Sequence, residues 1–513
     1  MKEFEEWFKT KKYPHIGYPI TIKDYNRVKA YIDNPFNIRK HSFLPFIHKT
    51  IVKRRFRANK ENPSVNPSGK KRRIRTKPKI RDTFFSSHLD AMIFSKYNSI
   101  LSEAYETYIK DLPFNESIVA YRKIPIVPGK KGNKCNIDYA KSAFEYISNN
   151  KDKKLSVIVA DVSSFFDNLD HKILKTQWSR ILNQPTLPPD HYNIFKALTR
   201  IKYVESRQLF DAYDQTMIVE RGVPNSSKRK TNLRKKIKSV KYFKEKRAIA
   251  YCDKKEFIKN NLGLIISKNN CRGIPQGSPI SATLANTYML NFDEKMFKEI
   301  AYINGFYQRY SDDLIIVCER KYEEKVIKIL RYTISGDASK LEIQPDKTKL
   351  YHFETQNGVF KCFVIDETTR QLFQNKQLEY LGFSFDGNRV LIKASGFSKF
   401  YRSMKGAFNR SLGFALFGKN PDRRLFKSKL YKRFTYKGAK RKIKFRPSAN
   451  NPKQYLRTKE YNWGNYLSYV NKADESMFSL NSGNCIKKQS RKAWARFDKL
   501  MKLNEKRLKP NCE

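Results

Sequence analysis

The chain has 513 residues, 40% of them hydrophobic, which is enough for at least one large core and about two to four domains. It carries 105 Lys and Arg against 49 Asp and Glu, a formal net charge of +56. So many like-charged side chains repel one another, which is more than an ordinary basic surface would explain. We therefore expect the protein to bind a polyanion. The seven cysteines form no CxxC pair, which disfavours a zinc knuckle and suits reduced thiols in the cytoplasm. The apolar runs are too short to span a membrane, and the N-terminus lacks the apolar run of a signal peptide.

The N-terminal part of the chain is rich in aromatic and basic residues. Residues 1–48 predict a small N-terminal element. Residues 49–81 hold 14 Lys or Arg and one acid, and the centre of this stretch, ENPSVNPSGKK, predicts a loop. Apolar residues at helical spacing predict a helix over 82–109.

The central part alternates strand and helix signals. KLSVIVAD at 154–161 predicts a buried strand that ends in Asp161, and 171–182 predicts a helix. Residues 227–247 hold 11 Lys or Arg and one acid, which indicates a charged insertion or extended loop. Residues 279–300 follow a Pro-Gln-Gly turn and predict another helix.

A strand–turn–strand pattern follows, in which FYQRY and LIIVC flank the acidic turn at 311–313. Residues 321–334 suit a helix, and LEIQPDKTKLYHF predicts strand around a turn. From about residue 395 the chain becomes basic and is predicted to be mostly helical. The order of strands and helices resembles a ferredoxin-like split βαβ core, so the predicted fold class is α+β.

Three carboxylates stand out because apolar strands hold them in place. Asp312 and Asp313 lie in a tight hairpin, and Asp161 ends the other strong strand. A lone Asp-Asp turn or strand-end Asp is commonly structural. Two adjacent carboxylates repel each other unless a cation or proton lies between them, and few hard oxygen ligands suit magnesium. Together the three predict a two-metal site for phosphoryl transfer.

Several ordered motifs resemble those of reverse transcriptases. VIVADVSSFFDNLDH resembles motif A, RGIPQGSPISATLANTYM resembles motif B, and YSDDLIIV resembles the YxDD motif C. LEIQPDKTKL and EYLGFSF resemble motif D and the primer-grip turn. The resemblance covers roughly residues 75–390. It implies a right-hand polymerase with fingers, a ferredoxin-like palm and an α-helical thumb.

The resemblance assigns metal-binding roles to particular positions. Asp161 and Asp312 correspond to the metal ligands, and Asp313 is a third catalytic acid beside them. The backbone carbonyl of Val162 would complete one coordination shell. The implied cofactor is a pair of Mg²⁺ ions, with Mn²⁺ as an alternative.

Other positions correspond to the nucleotide-binding site of the family. Phe166 matches the steric gate that favours deoxynucleotides, although it could be a plain core residue beside Phe165. Gln276 and Gly277 match the turn beside the incoming nucleotide. Lys347 matches a motif D lysine near the leaving pyrophosphate and could act as a general acid, or it could be a surface lysine.

Cations are expected near the triphosphate, and a turn is expected to hold the primer. Among the basic residues of the fingers, Arg81 and Arg122 are favoured for the triphosphate. Leu381 and Gly382 match the primer grip. All of these are implications of the resemblance.

The predicted divisions are an N-terminal element at 1–48, fingers at 49–153, a palm at 154–394 and a thumb or RNA-binding region at 395–513. The palm is interrupted by a basic insertion near 203–270. In the last region, YKRFTYKGAKRKIKF mixes aromatic and basic residues, which indicates contact with single-stranded RNA or, alternatively, a solvated basic face.

In a second resemblance, the segments SSHLDAMIFSKYNSILSEAYE and SIVAYRK are similar to those of bacterial stand-alone reverse transcriptases of phage defence and abortive infection. It implies an antiviral role, a structured non-coding RNA as partner and template, and often a homo-oligomer. The other partners implied are dNTPs and the DNA product, with no membrane. Two alternatives stay open: a template-independent or repeat-sequence nucleotidyltransferase, and a non-catalytic RNA-binding scaffold.

Overall fold

A computed structural model describes residues 4–508 except 59–72, 130–131, 223–229, 269, 366–368, 370, 374–375, 419–423, 441–442, 448–453, 462–463 and 482. The chain forms two compact units, each built from separate stretches. The first comprises Met1–Arg122, Val162–Phe297 and Leu330–Ile343, and the second comprises Lys123–Asp161, Lys298–Ile329 and Gln344–Glu513. The divisions predicted from sequence are continuous along the chain, and they remain a functional prediction.

The described residues form nineteen strands, which are β1 (His15–Ile16), β2 (Phe46–Ala58), β3 (Arg73–Phe85), β4 (Leu155–Asp161), β5 (Ile201–Glu205), β6 (Met217–Gly222), β7 (Lys230–Lys235), β8 (Ala248–Cys252), β9 (Ile266–Lys268), β10 (Phe306–Tyr310), β11 (Asp313–Glu319), β12 (Lys349–Gln356), β13 (Val359–Ile365), β14 (Leu372–Phe373), β15 (Leu378–Tyr380), β16 (Phe383–Phe385), β17 (Val390–Ile392), β18 (Ile443–Pro447) and β19 (Tyr455–Tyr461).

The same residues form eighteen α-helices, which are α1 (Tyr25–Ile32), α2 (Pro35–Arg39), α3 (His88–Ile109), α4 (Asn136–Asn149), α5 (Phe165–Asn168), α6 (His171–Ile181), α7 (Pro189–Thr199), α8 (Ser206–Tyr213), α9 (Lys254–Asn260), α10 (Ser281–Tyr288), α11 (Leu290–Tyr302), α12 (Glu323–Ser335), α13 (Ala394–Phe417), α14 (Lys427–Phe434), α15 (Tyr436–Ala439), α16 (Tyr466–Ser476), α17 (Cys485–Lys488) and α18 (Lys492–Lys506).

A six-stranded sheet forms the centre of the second unit, in the order β10-β11-β4-β12-β13-β14 with antiparallel neighbours. The predicted strand at 154–161 and the hairpin around 311–313 are adjacent in it. Their apolar runs are buried, and one face packs on α4 and on the small sheet β15-β16-β17. Burial of both runs fixes the strand ends, and therefore fixes the acidic residues that terminate them.

The C-terminal part of the second unit is less helical than predicted. Helices α13, α14 and α18 enclose a core that includes Phe408, Phe434 and Phe497. The basic stretch after α15, however, forms an antiparallel hairpin of β18 and β19. The prediction of a mostly helical region holds for α13–α18 and is wrong for this hairpin.

The first unit contains two four-stranded sheets, β3-β2-β5-β9 and β1-β8-β6-β7. The second of these incorporates part of the basic stretch at 227–247, because β7 (Lys230–Lys235) pairs with β6 along its whole length. A hydrophobic core beside this sheet includes Val219, Tyr251 and Phe257. The described part of the insertion is therefore a folded sheet with a core. The predicted loop at 61–71 lies outside the described residues.

Helix ends differ from the predictions where local hydrogen bonds override the apolar pattern. The helix predicted over 82–109 begins at His88, because Ser87 caps it by accepting a hydrogen bond from the backbone N–H of Asp90. The helix predicted over 279–300 is two helices that break at Met289. Among the described residues, no helix is long and apolar enough to cross a membrane.

Candidate active site

The three predicted catalytic carboxylates lie at one end of the central sheet of the second unit. Strands β4 and β11 pair so that Asp313 is directly opposite Asp161, and Leu314 is opposite Ala160. Opposed residues of an antiparallel pair carry their side chains on the same face, with Cβ atoms about 4.5–5.5 Å apart. Asp312 occupies the turn immediately before Asp313. The register therefore gathers all three acids, as the sequence predicts.

The hairpin between β10 and β11 closes through a two-residue turn, Ser311 and Asp312, because Tyr310 pairs with Asp313. Ser311 has a φ of 63°, a conformation that favours glycine at the first position of such a turn. Arg309 is completely buried, and its Nη1 donates a hydrogen bond to the carbonyl oxygen of Ser311 at 3.2 Å. A buried guanidinium thus supports the turn that carries the acids.

The electrostatics of these acids favour a nearby cation. Burial, reinforced by the charges of Asp312 and Asp161, raises the pKa of Asp313 to about 6, while Lys347 and Lys393 act in the opposite direction. The raised pKa means that the ionised form of Asp313 is disfavoured where it stands. A divalent ion would relieve this repulsion.

Lys347 lies beside the first of the three acids. It ends a 3₁₀ turn, Pro345–Lys347, and its ammonium forms an ion pair with Oδ1 of Asp161. The backbone N–H of Gln344 donates to the carbonyl of Asp161 at 2.8 Å, which holds the turn against the strand end. Lys347 therefore contacts a predicted catalytic acid, whereas its predicted place near the leaving pyrophosphate and its role in proton transfer stay predictions.

The predicted carboxylate ligands suit magnesium, although they would fill only part of its coordination shell. Among the described residues, no group of three or more His, Cys, Asp or Glu side chains is placed so that it could hold a metal ion. Magnesium, however, commonly takes only one or two carboxylates and completes its shell with water and substrate phosphates. Asp161 and Asp312 therefore fit the ion by chemistry, and the cation that currently contacts Asp161 is Lys347.

A cleft of about 450 Å³ opens beside Asp313 and is lined by the predicted primer grip. Leu381 and Gly382 connect β15 and β16 with φ values of 44° and 90°, as a two-residue hairpin of type I′ requires. The carbonyl of Leu381 accepts a hydrogen bond from Nδ2 of Asn136 at 3.0 Å, and the same Nδ2 donates to the hydroxyl of Tyr469 at 3.0 Å. Asn136, which also contacts Tyr469, therefore anchors the turn.

Two charged residues of this cleft were not predicted. Lys393 forms an ion pair with Glu379 at 2.6 Å, and Lys349 approaches the same carboxylate at 3.5 Å. Lys393 and Glu379 line the cleft together with Asp313. Lys393 has no motif-like context in the sequence, whereas Glu379 is the first residue of the EYLGFSF motif and Arg309 stands out as a charged residue in the apolar strand before the acidic turn.

The predicted nucleotide-binding residues of the first unit are brought together by backbone contacts. The N–H of Ile274 donates to the carbonyl of Phe166 at 2.8 Å, and the N–H of Phe84 donates to the carbonyl of Gln276 at 2.9 Å. Gly277 has a φ of 105°, and a Cβ there would lie 3.2 Å from the carbonyl oxygen of Phe84. Close packing of this turn on β3 therefore requires glycine.

The two phenylalanines after Asp161 differ in burial. Phe165 is 4% exposed and belongs to the core, whereas Phe166 is half-buried. A partly exposed ring is available to a nucleotide, which disfavours the alternative of a plain core residue. Val162 is buried and forms an isolated bridge with Ile343.

Arg122 does not have the predicted geometry of a phosphate ligand. Its guanidinium pairs with both oxygens of Glu106, at 2.9 and 2.7 Å, and with both oxygens of Asn115, each at 2.6 Å. It also donates to the carbonyl of Ile118 at 2.7 Å, and its side chain is 6% exposed. All five N–H groups are used, so we correct the prediction: Arg122 is structural. Arg81, on β3, is exposed and remains a candidate.

Residues 230–385 match the reverse transcriptase (RNA-dependent DNA polymerase) family model. The match includes Asp312, Asp313, Gln276 and Lys347 and begins after Asp161, which the sheet register adds to the site. The chain therefore contains a reverse transcriptase domain, within a mixed α/β fold. A search of curated protein sequences found no significant match.

Among solved structures, the chain is similar to telomerase from Candida albicans in complex with the TWJ fragment of telomeric RNA. The sequences are 13% identical, the alignment covers 80% of this chain and 59% of that one, and the TM-score is 0.37. Apo telomerase from Candida tropicalis is 12% identical, with 80% of this chain and 62% of that one covered and a TM-score of 0.35. The chain spans less than two thirds of the length of these structures.

Proposed function

We propose that the chain is an RNA-directed DNA polymerase that uses two-metal phosphoryl transfer. The observation that carries the proposal is the strand register that sets Asp313 opposite Asp161, with Asp312 in the adjoining turn. The reverse transcriptase match over 230–385 supports the same chemistry. The constellation also supports the proposal of an active enzyme, because mutually repulsive acids would have no electrostatic benefit in an inert fold.

In this mechanism Asp161 and Asp312 would hold two Mg²⁺ ions, with the carbonyl of Val162 as a further ligand and Mn²⁺ as an alternative ion. Bound magnesium would stabilise charge on the attacking and leaving oxygens. Asp313 would add negative charge without requiring direct coordination. Lys347 would exchange its ion pair with Asp161 for the departing pyrophosphate and donate a proton to it.

Selection of the substrate would fall to residues of the first unit. The half-buried ring of Phe166 would crowd a ribose 2′-hydroxyl and so favour dNTPs. Gln276 and Gly277 would form the wall beside the incoming nucleotide, and Arg81 would contact its triphosphate. In the second unit, Leu381 and Gly382 would position the primer end in the cleft beside Asp313.

The template is proposed to be a structured non-coding RNA, and the product its DNA complement. The net charge of +56 supports a resident polyanion. A role in phage defence, with a homo-oligomeric assembly, rests on the sequence resemblance of the segments around 86–106 and 117–123 alone, and a location in the cytoplasm rests on the cysteine pattern.

The polymerase proposal is tested by purifying the protein with its bound RNA, adding magnesium and labelled dNTPs or NTPs, and sequencing the product. DNA complementary to the RNA is expected, and Asp312→Ala should abolish it. Homopolymer without complementarity would favour a template-independent nucleotidyltransferase. Synthesis that survives Asp312→Ala would remove the catalytic assignment.

The biological proposal needs a separate experiment. Cells that express the protein should resist phage, measured as a drop in plaque number, and cells that express Asp312→Ala should not. Protection that persists in the variant would favour the RNA-binding scaffold as the active form. Loss of protection without loss of synthesis would count against a defence role for the DNA product.

A further inference from the structure

The insertion in the first unit forms one wall of a cleft of about 570 Å³. The opposite wall comes from the N-terminal segment and from the ends of β2 and β3. This volume lies in the range of about 300–1,000 Å³ that is typical of small-molecule sites. The cleft lies wholly within the first unit and includes none of the carboxylates of the candidate active site.

The floor of the cleft is aromatic on both sides. Tyr13 and Phe85 form one pair with ring centroids 5.8 Å apart, and the Tyr13 hydroxyl is fixed by donating to the carbonyl of Ser86 at 2.8 Å. On the insertion side, Phe243 lies 5.7 Å from Phe210 and 5.6 Å from Tyr251. These rings present flat apolar surfaces that are held by packing.

Part of this apolar surface is exposed at the cleft. Phe85 is 37% exposed and Val240 is 44% exposed, and both line the cleft. Exposed aromatic surface at a concave site indicates a ligand with a planar apolar part.

The rim of the cleft is positively charged. Lys49, Arg207 and Lys238 line it, and the one carboxylate among the lining residues, Asp211, lies 3.8 Å from Nε of Arg207. Within the described residues, no carboxylate is paired with the ammonium group of Lys49 or Lys238. Uncompensated cations beside aromatic rings are the combination that recognises a base together with its phosphates.

We infer that this cleft binds a segment of single-stranded RNA, with a base against the aromatic floor and the flanking phosphates on Lys49 and Lys238. Ser206 and Ser239 also line the cleft and supply hydroxyls that can hydrogen-bond to a ribose 2′-hydroxyl. The inference shares with the proposed function the premise that RNA is the partner. It concerns binding alone, so its failure would leave the polymerase proposal intact.

The test uses the full chain, freed of nucleic acid at high salt, with a short unstructured fluorescent RNA in the presence of EDTA. Affinity is measured by anisotropy over a series of salt concentrations. The Lys49→Ala, Lys238→Ala double variant should reduce the slope of log affinity against log salt by about 1.4, or about 0.7 per lost phosphate contact. Phe85→Ala should weaken binding by about fivefold or more through loss of stacking.

The matched control is the Lys255→Ala, Lys259→Ala double variant, which removes the same charge from exposed positions on α9 in the same insertion. Its slope should equal that of the parent. A slope change no larger in the cleft variant than in the control would overturn the inference. DNA of the same sequence that binds equally tightly would overturn the assignment to RNA.

Crosslinking supplies an independent measurement that does not depend on Phe85→Ala folding. RNA that carries 4-thiouridine should crosslink to peptides that contain Tyr13, Phe85 or Phe243, and Asp312→Ala should leave the crosslinks in place. Crosslinks confined to other peptides would contradict the proposed position of the base.

Discussion

At the scale of single residues, Lys347 is the side chain whose role is most sharply tested. Its ammonium contacts the carboxylate that we assign to magnesium. Lys347→Met should therefore lower the magnesium concentration for half-maximal activity, because a competing cation is removed. It should also reduce kcat by about 100-fold or more if the amine protonates pyrophosphate.

Steady-state kinetics with magnesium titrations measure both effects of Lys347→Met. The matched control is Lys349→Met, which removes a neighbouring lysine that faces Glu379 instead. A Lys347→Met enzyme with the kcat of the parent would identify Lys347 as the surface lysine of the alternative interpretation.

Substitutions of two arginines of the first unit should have different effects, one on stability and the other on substrate binding. Arg122→Ala leaves two backbone carbonyls without their partner, whereas Glu106 is 43% exposed and can be solvated, so we expect a loss of about 1–3 kcal/mol in stability and an unchanged KM for dNTPs. Arg81→Ala should raise that KM and leave Tm unchanged, because the side chain is exposed. Tm and KM measured on both variants check the assignment; a KM effect at Arg122 alone would reverse it.

At the scale of elements, the β10–β11 hairpin depends on the backbone of its turn. Ser311 has a φ of 63°, which a β-branched residue tolerates poorly. Ser311→Gly should keep both Tm and kcat close to the parent, whereas Ser311→Val should lower both by displacing Asp312. Equal behaviour of the two variants would show that the turn adapts without moving the acid.

The start of α3 should make the first unit sensitive to acid. His88 is 3% exposed, and burial, assisted by the charge of His15, lowers its pKa to about 4. The unfolded chain takes up this proton near the ordinary pKa of about 6.5, so stability should fall as pH drops from about 6.5 to 4, by about 3 kcal/mol in total.

Urea unfolding of the RNA-free protein at several pH values measures this loss. His88→Leu should make the dependence shallower, because the variant has no group at this position to protonate, while His15, whose pKa burial also lowers, still contributes. An identical pH dependence in the variant would assign the acid sensitivity to other groups.

The elements that sequence predicted well are those defined by buried apolar runs. Strands β4, β10 and β11 are of this kind, and their register then placed Asp161 opposite Asp313. The hairpin of β18 and β19 was missed because its Phe445, Tyr455 and Leu456 are all more than half exposed, so no buried face imposes a period of two.

Contacts between distant segments could not be predicted. Asn136 holds the primer-grip turn across 245 positions, and β1 pairs in parallel with β8 far along the chain. Arg122 illustrates the opposite error: a basic residue near a motif was assigned to substrate, whereas local carbonyls and Glu106 take all of its donors.

At the scale of the whole molecule, the net charge of +56 makes the folded chain sensitive to ionic strength. Without a polyanion, the like charges repel, and salt screens that repulsion within a Debye length of about 8–10 Å. The Tm of the RNA-free protein should therefore rise with added salt. The RNA-bound protein should show the reverse, because salt weakens binding by removing the gain from counterion release.

Thermal unfolding before and after RNase treatment and high-salt washing, over a series of salt concentrations, distinguishes the two forms. The slope of Tm against log salt should change sign between them, and the curves should converge at high salt where RNA is no longer bound. Two parallel curves would mean that the bound RNA does not neutralise the charges that oppose folding, so the basic surface would need a different partner.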